Sequence, residues 1–243
     1  MYQQNFCTLG DTAALKAAAF ELWSLGWEYD TSSKIILLPV PSFDTDGRIK
    51  GGGRLEDNLP DGAVIFGGNL AKERLADYRH FDLLKDPFYL AENAAITAHC
   101  AIGLGLEHLS TTLEGCPTLV LGWGRIGRCL AQLLRGLHAD VTVYARKEED
   151  RALLNALGYR TLAHLEDTAA IKSFPLIYNT APTLLLTEDM VTCRQVKIDL
   201  ASKQGIAAKD VIWARGLPNT YAPASSGALI AKTVDRIGKE FLL

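Results

Sequence analysis

Gly122, Gly124 and Gly127, in the run Val120-Leu121-Gly122-Trp123-Gly124-Arg125-Ile126-Gly127, are the residues of this chain best spaced to do chemistry. The spacing G-x-G-x-x-G gives each glycine its own task. The first allows a tight strand-to-helix turn, the second admits a pyrophosphate against bare backbone, and the third lets the helix lie close on the sheet. A β-rich run, Thr118-Leu119-Val120-Leu121, precedes the turn, and Ile126, Leu130, Leu133, Leu134 and Leu137 follow at helical spacing. Set between a strand and a helix, the pattern predicts a diphosphate resting on the free N–H groups of the helix start. Gly122, Trp123, Gly124, Arg125, Ile126 and Gly127 would form its cradle.

The next strand, 140–144, ends in Ala145-Arg146-Lys147, with no acid before Glu148. A site selective for NAD usually places an Asp or Glu there, on the ribose 2′-hydroxyl. Arg146 and Lys147 suit a 2′-phosphate instead, so NADP(H) is expected over NAD(H); the alternative is that both side chains only face solvent. Two later strands end in Asn179-Thr180-Ala181-Pro182 and Asp199-Leu200-Ala201-Ser202-Lys203. These place Asn179, Thr180, Ala181, Pro182 and Leu200 beside the nicotinamide end of such a cofactor, because ligands of open α/β sheets sit beyond the carboxyl ends of the strands. Ala214-Arg215-Gly216-Leu217-Pro218 makes a further turn at the same edge.

Such turns need parallel strands and crossover helices to hold them. Short β-rich runs (118–121, 140–144, 176–178, 195–200, 211–213) alternate with helical patterns (126–137, 148–157, 165–172), which predicts βαβ units and a parallel sheet. The first half is less regular, with strands at 6–9, 34–38 and 64–66 and a helix burying Ala14, Leu15, Ala18, Leu22 and Leu25. The stretch 39–62, rich in Gly, Pro and Asp, reads as a long loop of the kind that serves as a lid or binding segment. A helix from about Glu92 to Leu109 leads into the regular half, and Pro223 opens a terminal helix through Leu229, Ile230, Val234, Ile237 and Phe241. The expected fold is therefore α/β, with a C-terminal Rossmann-type parallel sheet (113–222) and a smaller α/β N-terminal domain (1–92). Two helices join them, 93–112 and 223–243, the second packing back on the N-terminal domain, and a crevice between the domains is the expected place for a ligand.

The 243 residues are 48% hydrophobic and 22% charged with a net charge of −3, which excludes a disordered polymer. No block of five like charges offers a surface to nucleic acid or an anionic membrane. Cys7, Cys100, Cys116, Cys129 and Cys193 are scattered without a C-x-x-C spacing, so no metal site and no redox dithiol is expected. No signal peptide is read, and the longest apolar run, 94–106, is too short for a bilayer span, so a cytoplasmic protein is expected.

Six segments together resemble the A-chain family of dipicolinate synthase. They are Ile36-Leu37-Leu38-Pro39-Val40, Val64-Ile65-Phe66, Leu121-Gly122-Trp123-Gly124-Arg125, Asn179-Thr180-Ala181-Pro182, Ile198-Asp199-Leu200-Ala201-Ser202-Lys203, and Gly216-Leu217-Pro218 continuing to Ala222-Pro223. The resemblance runs over most of the chain and is densest from Gly115 onward; a short first lobe, Gly51-Gly52-Gly53 and Arg215 depart from it. It implies a nicotinamide-linked oxidoreductase that converts a dihydropyridine dicarboxylate, dihydrodipicolinate, to dipicolinate. It also implies a place in the mother cell of a sporulating bacterium, beside a flavoprotein-like second subunit. A homo-oligomer is expected.

Oxidising a dihydropyridine removes a hydride and a proton, and two substrate carboxylates call for cationic or N–H donors. Lys203, at the tip of its strand, is the best candidate, ahead of Arg215, while Arg48, Lys50 and Arg54 read as solvated loop charges. Asn93 and Thr97 lie four apart on the connecting helix and share a face. They match polar positions of the family and either reach the nicotinamide or act as a helix cap and a buried hydroxyl. His99 points elsewhere and reads as a packing residue. A D-2-hydroxyacid dehydrogenase would carry an acid–base histidine shortly before the terminal helix, yet His164 is the last histidine, and 218–223 has none. A nucleotide-binding regulatory subunit without turnover is the other alternative.

Overall fold

The computed structural model describes residues 4–55, 59–70 and 75–241. The chain divides into two compact units, Met1–Ile96 with Pro218–Leu243, and Thr97–Leu217. In chain order the elements begin with β1 (Asn5–Thr8), α1 (Ala13–Ser24), β2 (Glu28–Tyr29), β3 (Ile35–Leu37), β4 (Val64–Gly67), β5 (Arg79–Asp82) and α2 (Pro87–His108). Next come β6 (Pro117–Leu121), α3 (Arg125–Gly136), β7 (Asp140–Tyr144), α4 (Glu148–Ala156), β8 (Arg160–Leu162), α5 (Thr168–Lys172) and β9 (Leu176–Asn179). The last are β10 (Leu186–Thr187), β11 (Val196–Asp199), β12 (Ile206–Ala207), β13 (Ile212–Trp213), α6 (Leu217–Tyr221) and α7 (Pro223–Phe241). Among the described residues no helix is long and apolar enough to cross a membrane.

The first unit holds a parallel sheet in the order β2-β1-β3-β4-β5. Thr12 caps α1 by accepting from the Leu15 N–H at 3.2 Å, and Ala14, Leu15, Ala18 and Leu22 are buried. Leu25, expected on that buried face, is 50% exposed. The helix stops at Ser24, and Gly26, at a φ of +94°, turns the chain behind it. Helix α7 crosses α1 where Gly227 stands; a Cβ there would come within 2.5 Å of Ala17 Cβ. Trp27 donates its indole N–H to Asp235 of α7 at 3.1 Å, and Arg236 of α7 pairs with Asp86. Phe6, Leu37 and Phe66 of the sheet close this core with Leu15, Leu22, Ile230 and Val234.

The other face of the sheet is covered by part of the long loop 39–62, expected to serve as a lid or binding segment. Ile49 and Leu55 are buried there with Ile36, Leu38 and Ile65, and the buried Ser42 hydroxyl donates to Pro39 O while accepting from Gly68 N–H. The described part of this loop is thus a packed layer, since a sheet face without a helix needs apolar cover from elsewhere. Two more expectations shift. The connecting helix begins at Pro87 and not near Glu92, with Asp86 accepting from Tyr89 N–H at 2.8 Å and proline at the first helical position. The helix expected at 165–172 begins at Thr168, where Asp167 caps it by accepting from Ala170 N–H.

The second unit carries a six-stranded parallel sheet, β13-β11-β9-β6-β7-β8, and a separate β10-β12 pair. Its first strand, β6, lies in the middle with β7 and β8 to one side and β9, β11 and β13 to the other, the doubly wound order of dinucleotide-binding sheets. The α/β reading with a Rossmann-type parallel sheet holds. Beneath one end of that sheet sits a buried cation. The Lys197 ammonium donates to Thr192 O (2.7 Å), Gln195 O (2.8 Å) and Asp210 (3.0 Å), and its side chain is 0% exposed. Replacing it by a methionine of similar length would take this donor from the Gln195 carbonyl and leave the Thr192 carbonyl with only the Gln195 N–H at 3.3 Å. Lys197→Met is expected to cost about 2–3 kcal/mol in urea unfolding; an unchanged midpoint would contradict the role given to this ammonium.

Candidate functional site

At the end of β6 the backbone enters the glycine turn and α3 begins. Gly122 adopts φ +101°, and a Cβ on it would lie 2.7 Å from the Thr180 hydroxyl oxygen. A Cβ on Gly127 would overlap Gly122 O, so α3 can lie against its own entry turn only with glycine there. Gly124 differs: nothing lies within 4 Å of where its Cβ would stand. It caps α3 with no side-chain acceptor for the first-turn N–H groups, and no acid occupies that turn. The structure therefore presents bare amides and the positive end of a twelve-residue helix dipole beside open space.

The expected cradle residues do not all act alike. Arg125 is exposed and Ile126 half-buried. The Trp123 ring leaves the turn: it meets Tyr159 edge to face at 5.8 Å, with the Arg128 guanidinium 5.6 Å above it. With Gln132, Arg135, Leu153 and Leu157 these side chains line a cavity of about 380 Å³. Trp123 thus offers only its backbone to the glycine turn.

At the tip of β7, Arg146 and Lys147 are both exposed. Lys147 is engaged with Glu149 at 3.3 Å, whereas the Arg146 side chain has no hydrogen bond or ion pair among the described residues. Arg151, which carried no signal in the sequence, holds this tip by donating to Ala145 O (2.9 Å) and Arg146 O (2.8 Å).

The β9 and β11 ends are tied to the glycine turn and to each other. Thr180 donates both its N–H (2.8 Å) and its hydroxyl (2.9 Å) to Leu121 O, so its side chain braces the turn. Asn179 is buried; its amide oxygen accepts from Ala181 N–H and its amide nitrogen donates to Ala181 O, both at 3.1 Å. Ala181 is half-buried and Pro182 exposed. Leu200 is buried and donates its N–H to Asn179 O at 2.8 Å. Asp199, which drew no role from the sequence, is fully buried and accepts four hydrogen bonds from these turns. Its signal was a charged residue closing an apolar strand.

Lys203 is exposed and has no partner among the described residues, and Arg215 lies over the Trp213 ring at 5.5 Å. On α2, Asn93 is half-buried in the first unit and Thr97 is buried in the second. His99, expected to pack, is exposed on α2 instead. Beneath, Tyr178 of β9 donates its hydroxyl to Ala101 O at 3.1 Å, and burial pushes its phenol well above the usual range, so it stays a neutral donor. Gly105 leaves the room this contact needs. No group of three or more potential metal ligands occurs among the described residues.

Solved structures share this fold over the whole chain. The dipicolinate synthase A chain from Bacillus halodurans superposes with a TM-score of 0.80 at 20% identity, covering 97% of each chain. Its counterpart from Bacillus subtilis gives 0.79 at 22% identity, covering 99% of this chain and 97% of that one. A transhydrogenase from Sinorhizobium meliloti gives 0.72 at 14% identity, covering 98% and 94%. No family model and no curated protein sequence matches the chain. The first two structures belong to the family that the sequence resembles, and at these identities the likeness establishes the fold.

Proposed function

We propose that this chain is an NADP(H)-dependent oxidoreductase that converts a dihydropyridine dicarboxylate, dihydrodipicolinate, to dipicolinate. The observation that carries the reading is the open space at Gly124, a cradle that any Cβ would begin to fill, set against the amides of α3. A diphosphate fits there. The backbone of Gly122, Trp123, Gly124, Arg125, Ile126 and Gly127 would hold it, and Arg146 would hold the 2′-phosphate. Asn179, Thr180, Ala181, Pro182 and Leu200 would flank the nicotinamide ribose and ring.

A bound nicotinamide would supply the hydride acceptor. The chain itself binds and orients: Lys203 takes a substrate carboxylate, and Asn93 and Thr97 approach the reacting end. Formation of the aromatic ring is downhill, so positioning contributes more than a strongly tuned acid. The reading includes a homo-oligomer and a flavoprotein-like second subunit in the mother-cell cytoplasm.

Mixing the purified chain with NADP⁺ and freshly made dihydrodipicolinate, with and without the second subunit, tests this. Reduced nicotinamide and dipicolinate should appear together. Nucleotide binding with no turnover in either mixture would overturn it in favour of a regulatory role. The cofactor preference has its own test. Arg146→Ala should weaken NADPH by about tenfold or more while leaving NADH unchanged, and Lys147→Ala, whose ammonium is engaged by Glu149, should do less. Equal losses for both nucleotides in Arg146→Ala would contradict the 2′-phosphate assignment.

A further inference from the structure

One buried carboxylate in the second unit joins the turn after β9 to the loop after β11. Asp199 is 0% exposed, and its four partners are all uncharged. Oδ1 accepts from the Asn179 amide (2.9 Å) and from Ala201 N–H (3.0 Å), while Oδ2 accepts from Gly205 N–H (2.7 Å) and Ile206 N–H (3.0 Å). The loop is therefore pinned on both sides of Ser202, Lys203 and Gln204, which are all exposed. Its base is held again by the Trp213 indole, which donates to Ala201 O at 3.0 Å. Turn and loop approach so closely that a Cβ on Gly205 would lie 2.5 Å from the Asn179 amide nitrogen and overlap Thr183 O.

Four donors converging on two oxygens need an acceptor-only group, which an ionised carboxylate is and an amide is not. An unpaired buried carboxylate would be costly, and the four donors offset that cost here. The two segments it joins have different expected ligands. In the proposed function the 179–182 turn would face the cofactor, and the 201–206 loop carries Lys203, which has no partner among the described residues.

We infer that Asp199 is a positioning residue which sets the cofactor turn and the Lys203 loop in one arrangement, so that a single side chain governs affinity for both the dinucleotide and the dicarboxylate. The inference rests on the function proposed above. It gives Asp199 and Lys203 different signatures. Lys203 acts on the dicarboxylate alone, whereas Asp199 acts on both ligands without touching either.

Titration calorimetry with NADPH and, separately, with dipicolinate on the wild-type chain, Asp199→Asn, Asn179→Ala and Lys203→Met reads these signatures. Asp199→Asn should weaken both ligands about tenfold or more, and Lys203→Met should weaken dipicolinate only. Asn179→Ala removes one of the four donors and keeps the inference testable if Asp199→Asn does not fold. It should weaken NADPH by about threefold or more and speed hydrogen exchange at the Ala201, Gly205 and Ile206 amides. Wild-type affinities for both ligands in Asp199→Asn, or in Asn179→Ala should the first not fold, would overturn the inference, as would loss of only one ligand in Asp199→Asn. A wild-type chain that binds no NADPH would instead overturn the proposed function, a separate result.

Discussion

Gly124→Val is expected to weaken NADPH binding by about a hundredfold or more, roughly 2.7 kcal/mol, while costing at most about 1 kcal/mol of folding stability. The two effects separate because of where this glycine stands. Its φ of −78° is open to any residue, and nothing lies within 4 Å of its missing Cβ, so the fold accommodates valine. The isopropyl group would occupy the approach to the α3 amides, where the diphosphate must come into hydrogen-bonding range. Calorimetry beside urea unfolding measures both quantities on one preparation. Wild-type affinity in a folded Gly124→Val chain would mean that the nucleotide, if bound, lies elsewhere.

Gly127→Ala, three residues on, should do the opposite. Its Cβ would overlap Gly122 O and come 3.1 Å from the Thr180 hydroxyl oxygen. Neither neighbour yields easily. Gly122 is fixed by its N–H to Tyr144 O at 2.9 Å, and Thr180 by its two bonds to Leu121 O. Relief must come from moving α3 off the sheet, which would uncover its own buried Leu130, Ala131 and Leu134. A loss of about 3 kcal/mol or more is expected in urea unfolding; stability equal to wild type would show that helix and turn do not meet this closely.

The glycine turn was legible because its requirements are local. Strand, turn and helix follow one another, and the periodicity changes from apolar run to helical spacing within ten residues. The β6 and β9 runs were legible for the same reason, since a buried parallel strand reads as a largely apolar run, and β7 through its β-branched Val141-Thr142-Val143. Two edge strands were not, although the edge strand β13 was. Arg79-His80-Phe81-Asp82 of β5 and Arg160-Thr161-Leu162 of β8 each pair with one neighbour and remain partly exposed, so pairing makes them strands and their composition does not announce it.

Contacts over long sequence separations were also hidden. Nothing near Gly105 in the chain indicates that Tyr178 will need its missing Cβ, and nothing near Ser42 predicts a bond from Gly68 N–H. The first depends on how α2 packs on β9, the second on β3 and β4 lying side by side. Asp199 was half-visible. Its segment stands out in the sequence through Leu200 and Lys203, whereas a strand-end carboxylate reads as a surface charge until the fold aims four N–H groups at it.

The diphosphate site at the start of α3 is tested most directly by titrating the wild-type chain with NADPH in the calorimeter, with Gly124→Val as the paired control. Saturable heat for one nucleotide per chain, tighter for NADPH than for NADH and abolished in Gly124→Val, is the predicted result. No heat from either nucleotide, or an isotherm that the valine leaves unchanged, would contradict it.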